Sequence, residues 1–71
     1  MLLAHPKPHA LKSALTERAL KQCELSEMVP MHRTNVSHVV NGRLNISVDR
    51  ADKIAEVLGK RVEDLFDIEH S

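Results

Sequence analysis

Apolar residues recur at three- and four-residue spacing along most of this chain, and such spacing places them on one face of a helix. The clearest stretch runs from residue 48 to residue 58, where Ser47 can cap the start and Gly59 follows the end. The same periodicity, interrupted at Pro30, predicts five helices. They cover residues 10–20, 22–29, 32–40, 48–58 and 62–66.

The third predicted helix lies in "HRTNVSHVVNG", which has two chemically different sides. Its apolar side consists of Val36, Val39 and Val40, and its polar side consists of Arg33, Thr34, Ser37 and His38. The valines favour a strand by type, but their spacing breaks the alternation of a strand and fits a helix. The stretch ends at Asn41-Gly42, a pair typical of helix ends.

The remaining residues are expected to lack regular structure. Residues 1–9 contain two of the three prolines and are predicted to form a flexible N-terminal arm. Residues 43–46 are expected to form a loop and residues 69–71 a tail, so the folded domain spans residues 10–68. The predicted fold class is all-α, a compact five-helix domain.

Composition excludes several classes of protein. One cysteine rules out an internal disulfide, and the apolar start "MLLA" is too short for a signal peptide, so a cytoplasmic location is expected. With one Phe and no Trp or Tyr, the chain lacks the aromatic platforms on which single-stranded nucleic acids stack. Prolines separate His5 from His9, and no residue set has catalytic or metal-site spacing. We expect no enzyme, metal or cofactor.

The net charge of zero is unevenly distributed. Residues 1–46 contain six Lys/Arg and three Asp/Glu, hence +3, whereas residues 47–71 contain four and seven, hence −3. No acidic residue occurs between Glu27 and Asp49. A stretch without carboxylates suits an anionic partner, although chance clustering is the alternative. For the N-terminal arm, with Lys7 and Lys12, disorder in solution is expected ahead of a contact with a phosphate backbone or the minor groove.

The second and third predicted helices are short and joined by a tight turn, which describes a helix-turn-helix. Gln22 opens the first of them, Ser26 is small enough to let the helices cross closely, and Val36 supplies an apolar contact from the second. The stretch "QCELSEMVPMHRTNVSHVVNGRLNISVDRADKIAEVLGKRVEDLF" therefore resembles the lambda-repressor/Cro-like (XRE) family of helix-turn-helix DNA-binding proteins. The segments "SHVVNG", "VLG" and "DLF" carry the resemblance beyond the turn.

This resemblance implies that residues 32–40 form a recognition helix that enters the major groove of DNA. The side chains expected to read bases are Arg33, Thr34, Ser37 and His38. Those expected to contact phosphates or flank the site are Gln22, Asn35, Asn41 and Arg43. Arg33 is the best candidate for base readout because its guanidinium can bond both acceptors of a guanine.

The chain departs from the family pattern at two positions. Pro30 stands where the family has a glycine, whose positive φ a proline cannot adopt. Either the turn has another geometry or the third helix begins early, with Pro30 as its first residue. Lys21 stands where the family has a Ser or Thr cap, so the second helix is expected to fray.

The sequence thus predicts a sequence-specific double-stranded-DNA-binding transcriptional regulator, a small Cro-like repressor of the phage or prophage kind. Binding to a palindromic operator with half-sites roughly 34–36 Å apart requires a homodimer. The residues expected to form the dimer surface are Leu65, Phe66 and Ile68, with Ile68 preferred because Phe66 also suits the core.

Three alternatives remain open for the sequence. The chain fits an antitoxin of a toxin–antitoxin pair, although its tail "DIEHS" is short for binding a toxin. It also fits an excision or activator protein on the same scaffold. The third alternative is a protein-binding module that kept the fold and lost DNA binding, which the zero net charge favours.

Overall fold

The computed structural model describes residues 2–69, which form five helices and three short strands. In chain order these are β1 (Leu3–Pro6), α1 (Pro8–Glu17), α2 (Gln22–Met28), α3 (Arg33–Val40), β2 (Ile46–Ser47), α4 (Val48–Leu58), α5 (Val62–Leu65) and β3 (Phe66–Glu69). Within residues 2–69 no helix is long and apolar enough to cross a membrane.

All five predicted helices are confirmed, and each boundary lies within three residues of its expected position. The Ser47 hydroxyl accepts a hydrogen bond from the Arg50 N–H at 3.4 Å, which caps α4 as predicted. Gly59 ends that helix in the left-handed conformation, at φ 68°. Helix α1 begins earlier than expected because Pro8 occupies its first turn, where a proline costs no hydrogen bond.

The three strands correct the all-α prediction. They form an antiparallel sheet in the order β2-β1-β3, so the residues expected to form a flexible arm supply its central strand. Ala4 of β1 pairs with Ile46 on one side and with Ile68 on the other. Ile46, predicted to lie in a loop, therefore belongs to β2. Met1 and the end of the predicted tail, residues 70–71, lie outside the described residues.

Pro6 is accommodated in β1 by the register of the sheet. The Lys7 N–H donates to the Leu65 carbonyl at 2.9 Å, and hydrogen-bonded pairs alternate along an antiparallel ladder. The pair of Pro6 with Phe66 is therefore not hydrogen-bonded. The nitrogen of Pro6 points away from β3 at a position where β2 has already ended, so the missing N–H costs no ladder bond.

One apolar core contains side chains from both the helices and the sheet. No polar or charged residue among residues 2–69 is buried. Phe66 is the largest fully buried side chain of the core. Arg18, which follows α1, donates from Nε to the Leu58 carbonyl at the end of α4, at 3.2 Å. The buried residues are Ala4, Leu11, Ala14, Leu15, Leu25, Val29, Met31, Val36, Val39, Val40, Ile46, Ala51, Ile54, Ala55, Leu58, Leu65 and Phe66.

Candidate nucleic-acid interface

Helix α3 presents one side to the core and the other to solvent, as its sequence pattern predicts. Val36, Val39 and Val40 are at most 1 % exposed, so the orientation of the helix about its axis is fixed. Ser37 is half-buried at the boundary between the two sides. The exposed side chains are Arg33, Thr34, Asn35 and His38. The structure therefore brings the four predicted base-reading residues onto one short helix, and three of them are exposed.

The turn that precedes α3 resolves the ambiguity at Pro30. Helix α2 ends at Met28 and α3 begins at Arg33, so Pro30 lies in the turn and does not open the helix. The preceding Val29 is extended, with φ −119° and ψ 148°, as a residue before proline prefers. Met31 anchors the turn in the core. Of the two alternatives for Pro30, the structure therefore shows a turn with another geometry, and α3 does not begin early.

His32 caps the start of α3. Its Nδ1 accepts a hydrogen bond from the Thr34 N–H at 3.2 Å, a role usually performed by Ser, Thr, Asp or Asn. At the start of α2, Glu24 performs half of a capping box because its carboxylate accepts from the Lys21 N–H at 3.1 Å. This hydrogen bond to a carboxylate thus stabilises the start of α2, where the sequence predicts fraying.

The end of α3 leads directly into the predicted phosphate-contacting residues. The Gly42 N–H donates to the Val39 carbonyl and the Arg43 N–H donates to the His38 carbonyl, which is a Schellman turn. Gly42 takes the left-handed conformation that this turn requires, at φ 75°. The Asn41 amide nitrogen donates to the Ser37 carbonyl at 2.8 Å, which fixes its side chain along the helix.

Two surface grooves contain the predicted flanking residues together with further polar groups. Gln22 shares one groove, beside the start of α2, with two lysines, Lys12 and Lys21. Asn35 shares the other with Asn45 and Arg50, which the sequence analysis missed. Arg50 could have been found from the sequence, because it lies in the first turn of α4. A cation there interacts unfavourably with the helix dipole, which indicates a role other than stabilising the helix.

Positive charge in this region is available to a partner. In the described part of the chain, the carboxylates that form ion pairs do so with His5, Lys7 and Lys60. No carboxylate of residues 2–69 pairs with Arg33 or Arg43, which lie in the stretch without acidic residues. An unpaired cation attracts phosphate without first giving up an internal partner.

Lys7 does not belong to a flexible arm, contrary to the prediction. Its Nζ lies 3.5 Å from an Asp67 carboxylate oxygen and donates to the Glu63 carbonyl at 3.0 Å. These contacts hold the Lys7 side chain against α5 and β3 of its own molecule. Lys12, which was predicted to act with it, lies in the groove beside Gln22.

The predicted dimer residues occupy different environments. Leu65 and Phe66 are 1 % exposed and belong to the core of the same molecule, whereas Ile68 is half-buried and packs at the margin of that core. Leu65 ends α5 and Phe66 begins β3, so this junction packs into the core and its side chains are not surplus, as they appeared for a helical bundle. Ile68 thus keeps the most exposed surface of the three.

Comparison with known proteins agrees with this architecture. Residues 11–65, which include most of α1 and all of α2 to α5, match the helix-turn-helix family model. The chain is also similar to the control protein C.BamHI of Bacillus amyloliquefaciens, with 34 % identity over 53 residues. That match covers 75 % of this chain and 65 % of the relative, slightly less than two thirds of its length. The family prediction is confirmed: the chain belongs to the XRE-type helix-turn-helix family of DNA-binding transcriptional regulators.

Proposed function

We propose that this protein is a sequence-specific transcriptional regulator that inserts α3 into the major groove of double-stranded DNA. The observation that carries the proposal is the two-sided character of α3, whose buried valines fix the direction of an exposed polar side. Family membership and the name of the similar control protein support regulation as its purpose. Function then rests on binding and needs neither a catalytic group nor a cofactor.

In this proposal Arg33, Thr34, Ser37 and His38 read base edges. Arg33 bonds a guanine through two parallel hydrogen bonds, and Thr34 contacts a thymine methyl group or a phosphate. Ser37 is half-buried, so its contact is limited to bases that approach α3 closely. The exposed His38 lies one turn along from Thr34 and extends the contact toward the end of the helix.

Phosphate contacts on either side of α3 set its register on the duplex. Gln22, with Lys12 and Lys21 in the same groove, binds one stretch of backbone. Asn41 and Arg43, which follow α3 directly, bind another. The groove shared by Asn35, Asn45 and Arg50 offers further polar contacts beside this second stretch.

The proposed active species is a homodimer on a palindromic operator in the cytoplasm of a bacterial or phage-infected cell. One α3 reads only a few base pairs, so specificity requires two half-sites roughly 34–36 Å apart. The proposed dimer surface lies at the C-terminal strand. Of Leu65, Phe66 and Ile68, only Ile68 contributes side-chain surface to it, because the other two are buried. The proposed action is repression through occlusion of a promoter.

The test is selection of binding sites from random duplex DNA at two salt concentrations, followed by sequencing. We expect wild type to enrich a palindrome whose affinity falls as salt rises, because bound phosphates release counterions. Arg33→Ala should lose discrimination at one position of each half-site, by about 1–3 kcal/mol. The matched control Arg61→Ala removes an exposed arginine outside the helix-turn-helix and should leave the selected sequence unchanged.

Two results would contradict the proposal. One is failure of the folded wild type to enrich any sequence at low salt. The other is an Arg33→Ala preference identical to that of wild type and of Arg61→Ala, since base readout through α3 would then be wrong.

A further inference from the structure

The segment that precedes the family-matched region contacts both ends of the loop that follows α3. The family match begins at residue 11, whereas β1 and Pro8 lie before it. The loop, residues 41–45, runs from the end of α3 to β2 and carries the proposed phosphate contacts Asn41 and Arg43. Each end of this α3–β2 loop has its own attachment to the N-terminal segment.

At the start of the loop, the ring of Pro8 lies against the backbone of Gly42. A Cβ placed on Gly42 would lie 3.0 Å from Pro8 Cγ and 3.3 Å from Pro8 Cδ. The space in front of Gly42 is therefore filled by the proline ring. Gly42 is also the left-handed residue of the Schellman turn, so the ring packs on the point where the chain leaves α3.

At the end of the loop, β1 pairs with β2. Leu3 pairs with Ser47 and Ala4 with Ile46, and both Ala4 and Ile46 are buried. Leu3 also lines the groove that contains Asn35 and Asn45, so β1 reaches the proposed DNA-facing surface from the opposite end of the loop.

We infer that Leu3, Ala4 and Pro8 position the α3–β2 loop for DNA binding, with Pro8 as the main positioning residue. The inference rests on the proposed function, because it concerns how Asn41 and Arg43 are presented to phosphate. A loop fixed at both ends loses less conformational entropy when it binds, and this preorganisation raises affinity without a new contact to DNA. Pro8 itself touches no DNA in this mechanism.

The first test measures amide hydrogen exchange in the free protein. Pro8→Ala removes the ring contact but leaves a good helix former in the first turn of α1. We expect the Gly42 and Arg43 N–H groups to exchange about threefold to tenfold faster in this variant, because their turn is no longer covered. The corresponding N–H groups at the end of α4, those of Gly59 and Lys60, should be unaffected.

Pro6→Ala is the matched control, since it removes a proline from the same segment at a position paired with Phe66. Both variants gain conformational freedom in the unfolded state, so any effect of that freedom appears in both. Only Pro8→Ala should change exchange in the α3–β2 loop. Equal exchange at Gly42 in wild type and Pro8→Ala would overturn the inference.

The second test is a double-mutant cycle for affinity to the selected operator. Pro8→Ala should weaken binding about threefold to tenfold in wild type and have no effect in an Asn41→Ala/Arg43→Ala background, because its contribution passes through those residues. An equal loss in both backgrounds, or no loss in wild type, overturns the inference and leaves the proposed function standing. If wild type selects no operator, the proposed function fails and the inference fails with it.

Discussion

Among residues 2–69, three residues at helix ends adopt the left-handed conformation, and one of them is not a glycine. Gly42 and Gly59 end α3 and α4, whereas Ala19 follows α1 with φ 53°. The turn at Ala19 has the same hydrogen bonds as the other two, since Ala19 N–H donates to Thr16 and Leu20 N–H to Leu15. An alanine in this conformation brings its Cβ close to the following carbonyl oxygen, which costs roughly 1–2 kcal/mol.

Ala19→Gly should therefore stabilise the protein. Relief of the strain exceeds the entropy that glycine adds to the unfolded chain, so we expect the free energy of unfolding to rise by about 0.5–1 kcal/mol. Urea unfolding followed by circular dichroism measures it. Ser13→Gly, an exposed site in the middle of α1, is the control and should destabilise by about 0.5 kcal/mol. A decrease in stability for both variants would show that Ala19 is not strained.

At the scale of elements, the helices were predictable because their signals are local. The stripe of α4, the cap at Ser47 and the glycine at position 59 all lie within a dozen residues of one another. The same holds for α3, whose side toward the core follows from the spacing of three valines. Because the valine side of α3 is buried, the polar side must face away from the core.

The strands were not predictable in this way because each exists only through a distant partner. The sequence of β1, "LAHP", contains a proline and only four residues, so it favours an arm when considered alone. Its pairing with Phe66–Glu69 supplies the hydrogen bonds that the isolated segment lacks. The expectation that Lys7 belongs to a flexible arm followed from the same limit, since Lys7 in fact lies between β1 and α1.

Substitution of an aspartate for Ala4 tests whether β1 belongs to the folded domain. Ala4 is fully buried, so Ala4→Asp would place a carboxylate in the core without a partner and prevent stable folding at 25 °C. Leu2→Asp, at a residue that is 40 % exposed, is the control and should change stability by less than about 0.5 kcal/mol. Thermal unfolding distinguishes the two. If Ala4→Asp melts like wild type, residues 3–6 form an arm as the sequence alone predicted.

At the scale of the whole molecule, the net charge is zero, but positive and negative charges are unevenly distributed. Lys7 pairs with Asp67 and His5 is hydrogen-bonded to Glu69 on the sheet, whereas no carboxylate of residues 2–69 pairs with Arg33 or Arg43 beside α3. The surface pairs on the sheet contribute little to stability, typically below about 1 kcal/mol. Their effect is on the distribution of charge: a carboxylate of the sheet pairs with Lys7, and the charges of Arg33 and Arg43 remain for a partner.

The central position of β1 has a consequence for the time course of folding. His5 and Glu69 are 64 positions apart in the sequence, yet they lie side by side on neighbouring strands. Contacts between such distant residues require closure of nearly the whole chain, which is entropically costly in the transition state. Formation of α1 to α5 needs only local contacts, so we expect the sheet to close after the rate-limiting step.

A pair of identical substitutions measures this order. Ala4 and Ala51 are both fully buried, one in β1 and one in α4. Ala4→Gly should leave the folding rate unchanged and raise the unfolding rate about fivefold, whereas Ala51→Gly should also slow folding. A folding rate lowered by Ala4→Gly would place β1 in the transition state. With the expected result, the helices set how fast the native state forms, and the strand that joins the two ends of the chain sets how long that state persists.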